Sequence, residues 1–325
     1  MTSRKARVAI LGTSAEEPPP GIGVIDELVD LAFADSLPEL SAVLPGSDIV
    51  FAWRNRRDLL AGAWEHAGDL RWIQSASAGV DGLLFPELVQ SHVVLTNARG
   101  VFDDPIGEYV VGMLLVFAKG LVGVLDGQRA REWRHRDTES LAGRRVLVVG
   151  AGSIGTAIGR RCSALGMRVR SVARTARADD EVFDSVVAVG DLKAQLAWAD
   201  FVVNALPATE DTHHLFDDEA FEAMDPRARF VNVGRGSTVD EPALIRALQR
   251  GAIAGAALDV FEQEPLPERS PLWDMQNVIV SPHLSGNAAG WREAVVELFL
   301  DNLRRYLLGR PLRNVVDKAR GYVPS

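Results

Sequence analysis

Residues 146–155 read VLVVGAGSIG: an apolar run that ends in a G-x-G-x-x-G turn, with a helical pattern following at 154–165. Few folds accommodate such a segment. Gly150 permits a tight turn, Gly152 lets the backbone come close to a pyrophosphate, and Gly155 lets a helix lie directly against a strand. The helix start, at Ser153 and Ile154, favours an anion because its N–H groups point outward. The segment predicts a strand–turn–helix unit that binds a dinucleotide.

The rest of the chain repeats the same alternation. Short apolar runs stand at 7–11, 48–53, 70–74 and 93–96, and sharper ones at 146–149, 168–172, 201–205, 230–233, 254–258 and 278–280. Helical patterns fall between most of them, at 22–34, 154–165, 217–224 and 241–250. Strands alternating with helices imply parallel sheets covered on both faces, hence an α/β fold with two doubly wound sheets. A length of 325 residues suits two domains. A long apolar helix at 105–131 leads from the first series to the second, and a helical pattern at 291–308 returns to the first. The expected division is 1–98 plus 291–325 as the substrate domain, with 99–290 as the dinucleotide domain.

Charge and cysteine usage exclude several classes. Against 35 Lys and Arg stand 44 Asp and Glu, a formal net charge of −9, which argues against a nucleic-acid partner. The one cysteine, Cys162, forms no internal disulfide and no Cys-rich zinc site. No metal is expected. The longest apolar run, 110–118, is short of the roughly 20 residues that span a bilayer. A soluble, cytoplasmic protein with no membrane partner is the expectation.

Three polar residues follow strand-like runs, where doubly wound folds place ligands. They are Arg235 in FVNVGRG, Glu264 in ALDVFEQEP and His283 in VSPHLSG. An arginine, a carboxylate and an imidazole together can bind an anion, orient the imidazole and move a proton. The strand after the glycine turn should end near an adenosine ribose, where NAD enzymes usually carry a carboxylate. Here the sequence is Arg174-Thr175-Ala176-Arg177, with no carboxylate before Asp179. A guanidinium suits a 2′-phosphate, so NADP(H) is the preferred cofactor and NAD(H) the second candidate.

Together these motifs resemble the D-isomer-specific 2-hydroxyacid dehydrogenase family, closest in pattern to its glyoxylate/hydroxypyruvate reductases. NALPATEDT at 204–212 and DEPAL at 240–244 support the resemblance. It implies a Rossmann cofactor domain inserted in a flavodoxin-like substrate domain, and a homodimer joined through the apolar helix. It implies that Arg235 binds the substrate carboxylate and carbonyl, that Glu264 hydrogen-bonds His283, and that His283 gives the carbonyl oxygen its proton. Asp259 maps to the position that contacts the nicotinamide amide. Leu206, Pro207, Thr212, Val233, Gly234, Arg235, His283, Ser285 and Gly286 complete the implied cofactor set. In the first series SASAGVD at 75–81 resembles the family's substrate loop, its N–H groups near Ala78 and Gly79 holding a carboxylate. Trp53 and Arg54 occupy substrate-facing positions, and Trp133 and Trp291 are further candidates for which packing is the plainer reading. The expected activity is NADPH-linked reduction of a small 2-keto acid to the D-2-hydroxy acid. A reductase of bulkier acids such as phenylpyruvate, and a dinucleotide-sensing corepressor-like binding protein, are the alternatives.

Overall fold

The computed structural model describes residues 4–178 and 180–324. The chain separates into two units, one running to Phe102 and resuming at Ala289, the other spanning Asp103–Ala288.

The first unit holds five parallel strands, β1 (Ala6–Leu11), β2 (Val29–Ala34), β3 (Ile49–Ala52), β4 (Trp72–Ser75) and β5 (Val94–Thr96). Their order, β2-β1-β3-β4-β5, is the flavodoxin-like one. Successive side chains alternate between faces, so a sheet covered on both sides needs unbroken apolar runs. Ala9, Leu11, Val50 and Ile73 enter one core, while Val8, Ile10, Ile49, Phe51 and Trp72 enter the other. The second core is sealed by the helix Trp291–Leu307, whose Phe299 stacks on Phe51 at 4.2 Å.

One expectation fails here. Residues 22–34, read as helical, form a short 3-10 turn at Ile22–Ile25 and then β2. Val29, Leu31 and Phe33 alternate with smaller or polar neighbours, and the run pairs with β1 from Ala6↔Val29 to Leu11↔Ala34. Apolar spacing over so short a stretch fits both periods, and the ladder decides between them.

A buried polar network ties the returning segment to this sheet. Trp72 Nε1 donates to Thr96 Oγ1 (2.7 Å), Thr96 Oγ1 donates to Gln74 Oε1 (2.8 Å), and Asn302 Nδ2 donates to the same oxygen (3.0 Å). Asn302 Oδ1 accepts from Arg313 N at 2.8 Å. Asn302→Ala removes a fully buried side chain from the network, leaving Gln74 Oε1 with Thr96 alone and Arg313 N without this acceptor. The expected cost is about 1–3 kcal/mol, read as a lower urea midpoint. An unchanged midpoint would show that the network carries no stability.

The second unit holds β6 (Arg145–Val149), β7 (Arg168–Ala173), β8 (Ser185–Ala188), β9 (Phe201–Asn204), β10 (Arg229–Asn232), β11 (Gly255–Leu258) and β12 (Val278–Val280). All pair in parallel, in the order β12-β11-β10-β9-β6-β7-β8. This is the Rossmann arrangement, with its switch point between β6 and β9. The expected single helix at 105–131 is instead two, Asp103–Lys119 and Leu121–Ala130, bent by 62°. Gly120 adopts φ +58 at the break, and a side chain there would meet the Arg136 guanidinium at 2.7 Å. Among the described residues, no single helix is long and apolar enough to cross a membrane.

Candidate active site

The glycine turn is tight at both ends and open in the middle. Gly150 adopts φ +111, and a Cβ there would lie 2.8 Å from the Ala205 carbonyl. A Cβ on Gly155 would lie 1.8 Å from the Gly150 carbonyl, so only glycine lets the helix Ser153–Ala164 start this close to β6. Over Gly152 nothing stands within 4 Å of that position. The first N–H groups of a twelve-residue helix open onto that space, a cradle that fits a pyrophosphate. Ser153 Oγ donates to Asp103 Oδ1 at 3.2 Å.

The flanking loops brace each other. Leu206 N donates to Asn204 Oδ1, and Thr212 Oγ1 closes its loop onto the Pro207 carbonyl at 2.7 Å. Gly234 packs so tightly that a Cβ would sit 2.6 Å from the Leu206 carbonyl, beside buried Val233. At the end of β7, Arg174 and Thr175 stand exposed. Arg177 is turned to other work: its N–H donates to Val186 O and its guanidinium pairs with Asp180 at 3.2 Å. Asp179 lies outside the described residues.

The reactive set sits on the loops after β10, β11 and β12. His283 Nδ1 lies 2.7 Å from Glu264 Oε2, while Glu264 Oε1 accepts from Phe261 N at 3.0 Å. That contact commits Nδ1 to the carboxylate and leaves Nε2 as the ring's other functional nitrogen. Burial pushes the Glu264 carboxyl up. The His283 and Phe261 hydrogen bonds and the Arg235 charge outweigh it and hold Glu264 below the usual carboxylate range. Arg235 starts its loop half-buried, with Nη1 donating to Gly234 O at 2.9 Å. Thr238 Oγ1 donates to Arg235 O, and Asn204 Nδ2 donates to both Asn232 Oδ1 and Thr238 Oγ1.

Asp259 is fully buried. Its Oδ1 accepts from Leu284 N (2.9 Å) and Ser281 Oγ (2.6 Å), and its Oδ2 accepts from Ser285 N (2.9 Å). Tyr109 Oη and Ser281 Oγ lie 2.6 Å apart, tying this cluster to the helix Asp103–Lys119. The carboxylate expected at a nicotinamide amide is thus also the brace of the His283 loop, from Ser281 to Ser285. A brace is needed, because His283 adopts φ +51, which costs a residue with a side chain about 1–2 kcal/mol. Sequence reasoning missed Tyr109 and Ser281, whose positions carry no local motif.

In the first unit, the loop 75–81 after β4 is fixed by its carbonyls. Asn97 Nδ2 donates to Ala78 O (2.6 Å) and Asn55 Nδ2 to Gly79 O (3.2 Å). Trp53 is half-buried and stacks on Trp291 at 6.1 Å, which in turn meets Phe102. Arg54 is exposed. Trp133, for which core or interface packing is the plainer reading, is 98 % exposed in the chain, so it is not a core residue.

Comparison with known proteins gives a consistent result. The family model described as D-isomer specific 2-hydroxyacid dehydrogenase, NAD binding domain, matches residues 111–285. A glyoxylate reductase of Thermofilum pendens is 31 % identical over 313 residues, covering 93 % of this chain and 92 % of that protein. A glyoxylate/hydroxypyruvate reductase A of Arabidopsis thaliana is 32 % identical, covering 75 % and 77 %. Among solved structures, an NADPH-dependent glyoxylate/hydroxypyruvate reductase of Sinorhizobium meliloti, in complex with NADP and sulfate, is similar at TM-score 0.82 and 27 % identity. It covers 98 % of this chain and 100 % of that one. A D-isomer specific 2-hydroxyacid dehydrogenase of Xanthobacter autotrophicus, in complex with NADPH and MES, is similar at TM-score 0.82 and 30 % identity, with the same coverage.

Proposed function

The chain belongs to the D-isomer-specific 2-hydroxyacid dehydrogenase family, and from that premise we propose that it reduces a small 2-keto acid of the glyoxylate or hydroxypyruvate type to the D-2-hydroxy acid with NADPH. The observation that carries the reading is the 2.7 Å Glu264–His283 pair beside the charge of Arg235. When bound, the nicotinamide cofactor supplies the hydride. The residues of the chain supply position and charge. Arg235 binds the carboxylate through its planar fork and draws charge toward the carbonyl oxygen. His283 holds a proton at Nε2 for that oxygen. Glu264 fixes the ring and balances the imidazolium. The keto acid thus gains one hydride at carbon and one proton at oxygen.

Preference for NADPH rests on the turn after β7. Arg174 and Thr175 stand where a ribose-binding carboxylate would otherwise serve NAD, and relatives of this fold are described with NADP or NADPH. One charge-assisted bond to a 2′-phosphate is worth about 1.5–3 kcal/mol, roughly 10- to 150-fold in preference. Turnover of a 2-keto acid panel with each cofactor tests the whole reading. Arg174→Ala is expected to raise KM for NADPH about tenfold or more and to leave KM for NADH nearly unchanged. A wild-type enzyme that prefers NADH refutes the cofactor assignment, and one inert toward every 2-keto acid refutes the activity.

We also assign a homodimer. Leu121, Val122, Val124 and Leu125 are 40–51 % exposed on the helix Leu121–Ala130, an apolar stripe that suits a second copy. A monomeric mass in solution would overturn this. The single, buried Cys162, its thiol pushed up to about 12 by burial, fits a reducing cytoplasm.

A further inference from the structure

His214 carries a polar cluster that the proposed chemistry does not use. It adopts φ +49, the left-handed region, without being glycine. Its N–H donates to Ser237 O at 3.0 Å, inside the loop that begins at Arg235. Its ring Nε2 lies 2.6 Å from Glu262 Oε1, inside the loop that carries Glu264. One residue therefore grips two of the three reactive loops, one through its backbone and the other through its side chain.

The two loops touch at the same point. A Cβ on Gly236 would lie 1.9 Å from the Phe261 carbonyl carbon and 2.4 Å from Glu262 N. Backbone thus lies on backbone between Arg235's neighbour and the 261–262 peptide. Phe261 N in turn donates to Glu264 Oε1. A shift of Glu262 passes through one peptide to the carboxylate that holds His283.

Carboxylates crowd this contact. Glu262 N donates to Glu241 Oε2 at 3.3 Å, which brings the Glu241 carboxylate against the Glu262 loop from the helix Glu241–Gln249. Burial and the Glu262 charge together leave the Glu241 carboxyl above the usual range. The His213 ring stacks on His214 at 4.0 Å. Arg235 and Glu264 lie on the same two loops beyond, and His283 lies on the loop after β12. A ring N–H donated to the Glu262 carboxylate is a charge-assisted bond, about twice as strong as one between neutral groups.

We propose that His214 is a positioning residue for the reduction: through its backbone bond to Ser237 and its ring contact with Glu262, it staples the Arg235 loop to the Glu264 loop and so holds Glu264 and His283 in working register. The inference rests on the reductase reading given above.

The test compares wild type with His214→Asn, since asparagine tolerates the left-handed backbone, and with Glu262→Gln, which leaves that backbone untouched. Each should lower kcat about fivefold, the upper worth of a partly exposed pair, while KM for the keto acid changes by less than about twofold. The double variant should lose no more than either single one. KM for the dinucleotide should stay constant, and thermal midpoints should confirm folding. A merely structural role would lower the thermal midpoint and leave kcat unchanged, and an unchanged kcat overturns the inference while leaving the reductase reading intact. A wild type with no turnover on any 2-keto acid overturns both.

Discussion

Replacing His283 by alanine is expected to lower kcat by about 10²–10⁴, the usual worth of a positioned acid, with thermal midpoint and dinucleotide binding nearly unchanged. The ring is half exposed, so its removal opens no cavity. Its partner Glu264 keeps the Phe261 N–H bond and the Arg235 charge. What disappears is the proton that the alkoxide-like oxygen needs as hydride arrives. Single-turnover reduction followed at the NADPH absorbance band reads this directly, and a loss below tenfold would remove His283 from the acid role.

The companion variant separates the ring from its orienting carboxylate. Glu264 lies below the usual carboxylate range in the folded protein. The stability of its pair is therefore fully present above that usual range and is lost only as pH falls through the lowered folded value. Across neutral pH the carboxylate is always charged, and Glu264→Gln removes that charge at every pH. The imidazolium form then lacks its partner, so the loss of kcat should grow toward alkaline pH. A pH–rate profile with unchanged shape would exclude the Glu264–His283 assignment.

The parts of this site that were legible in the sequence are those whose chemistry is local. Gly150 and Gly155 announce themselves because a side chain at either would enter backbone, and they sit next to the strand and helix they join. Arg235, Glu264 and His283 follow three separate apolar runs, so parallel topology alone brings their loops to one edge of the sheet. Features that depend on distant partners were not legible. β2 was mistaken for helix because its pairing with β1 lies outside its own residues. At the break, the Gly120 carbonyl accepts from Arg136, sixteen positions away. Tyr109 reaches Ser281 across the fold, and the bracing by Asp259 shows only once the His283 loop closes over it. Gly236 looks like an ordinary loop glycine until the 261–262 peptide is seen against it.

The remaining large effect is expected at Arg235, where lysine keeps the charge and loses the planar fork. A carboxylate with an adjacent carbonyl presents oxygens that a guanidinium meets with two parallel donors, whereas an ammonium meets them as a point charge. Each charge-assisted bond is worth about 1.5–3 kcal/mol, so losing one arm should cost roughly 10- to 150-fold in kcat/KM for every 2-keto acid tested. The substitution isolates geometry from electrostatics. Glu264 owes part of its lowered pKa to the charge at position 235, and a lysine leaves a cation there. The loop also keeps its shape, because Thr238 and Asn232 hold Arg235 through its backbone carbonyl rather than its side chain. A drop confined to KM would mean that the fork binds ground state and transition state alike. A drop shared by kcat and kcat/KM would mean that it acts on the oxygen as charge develops there. Measuring the thermal midpoint and the dinucleotide Kd of the same variant keeps a folding defect apart from either result. If Arg235→Lys matches wild type on its best substrate with both controls unchanged, paired recognition of the substrate carboxylate is wrong, and the guanidinium serves the site only as a charge.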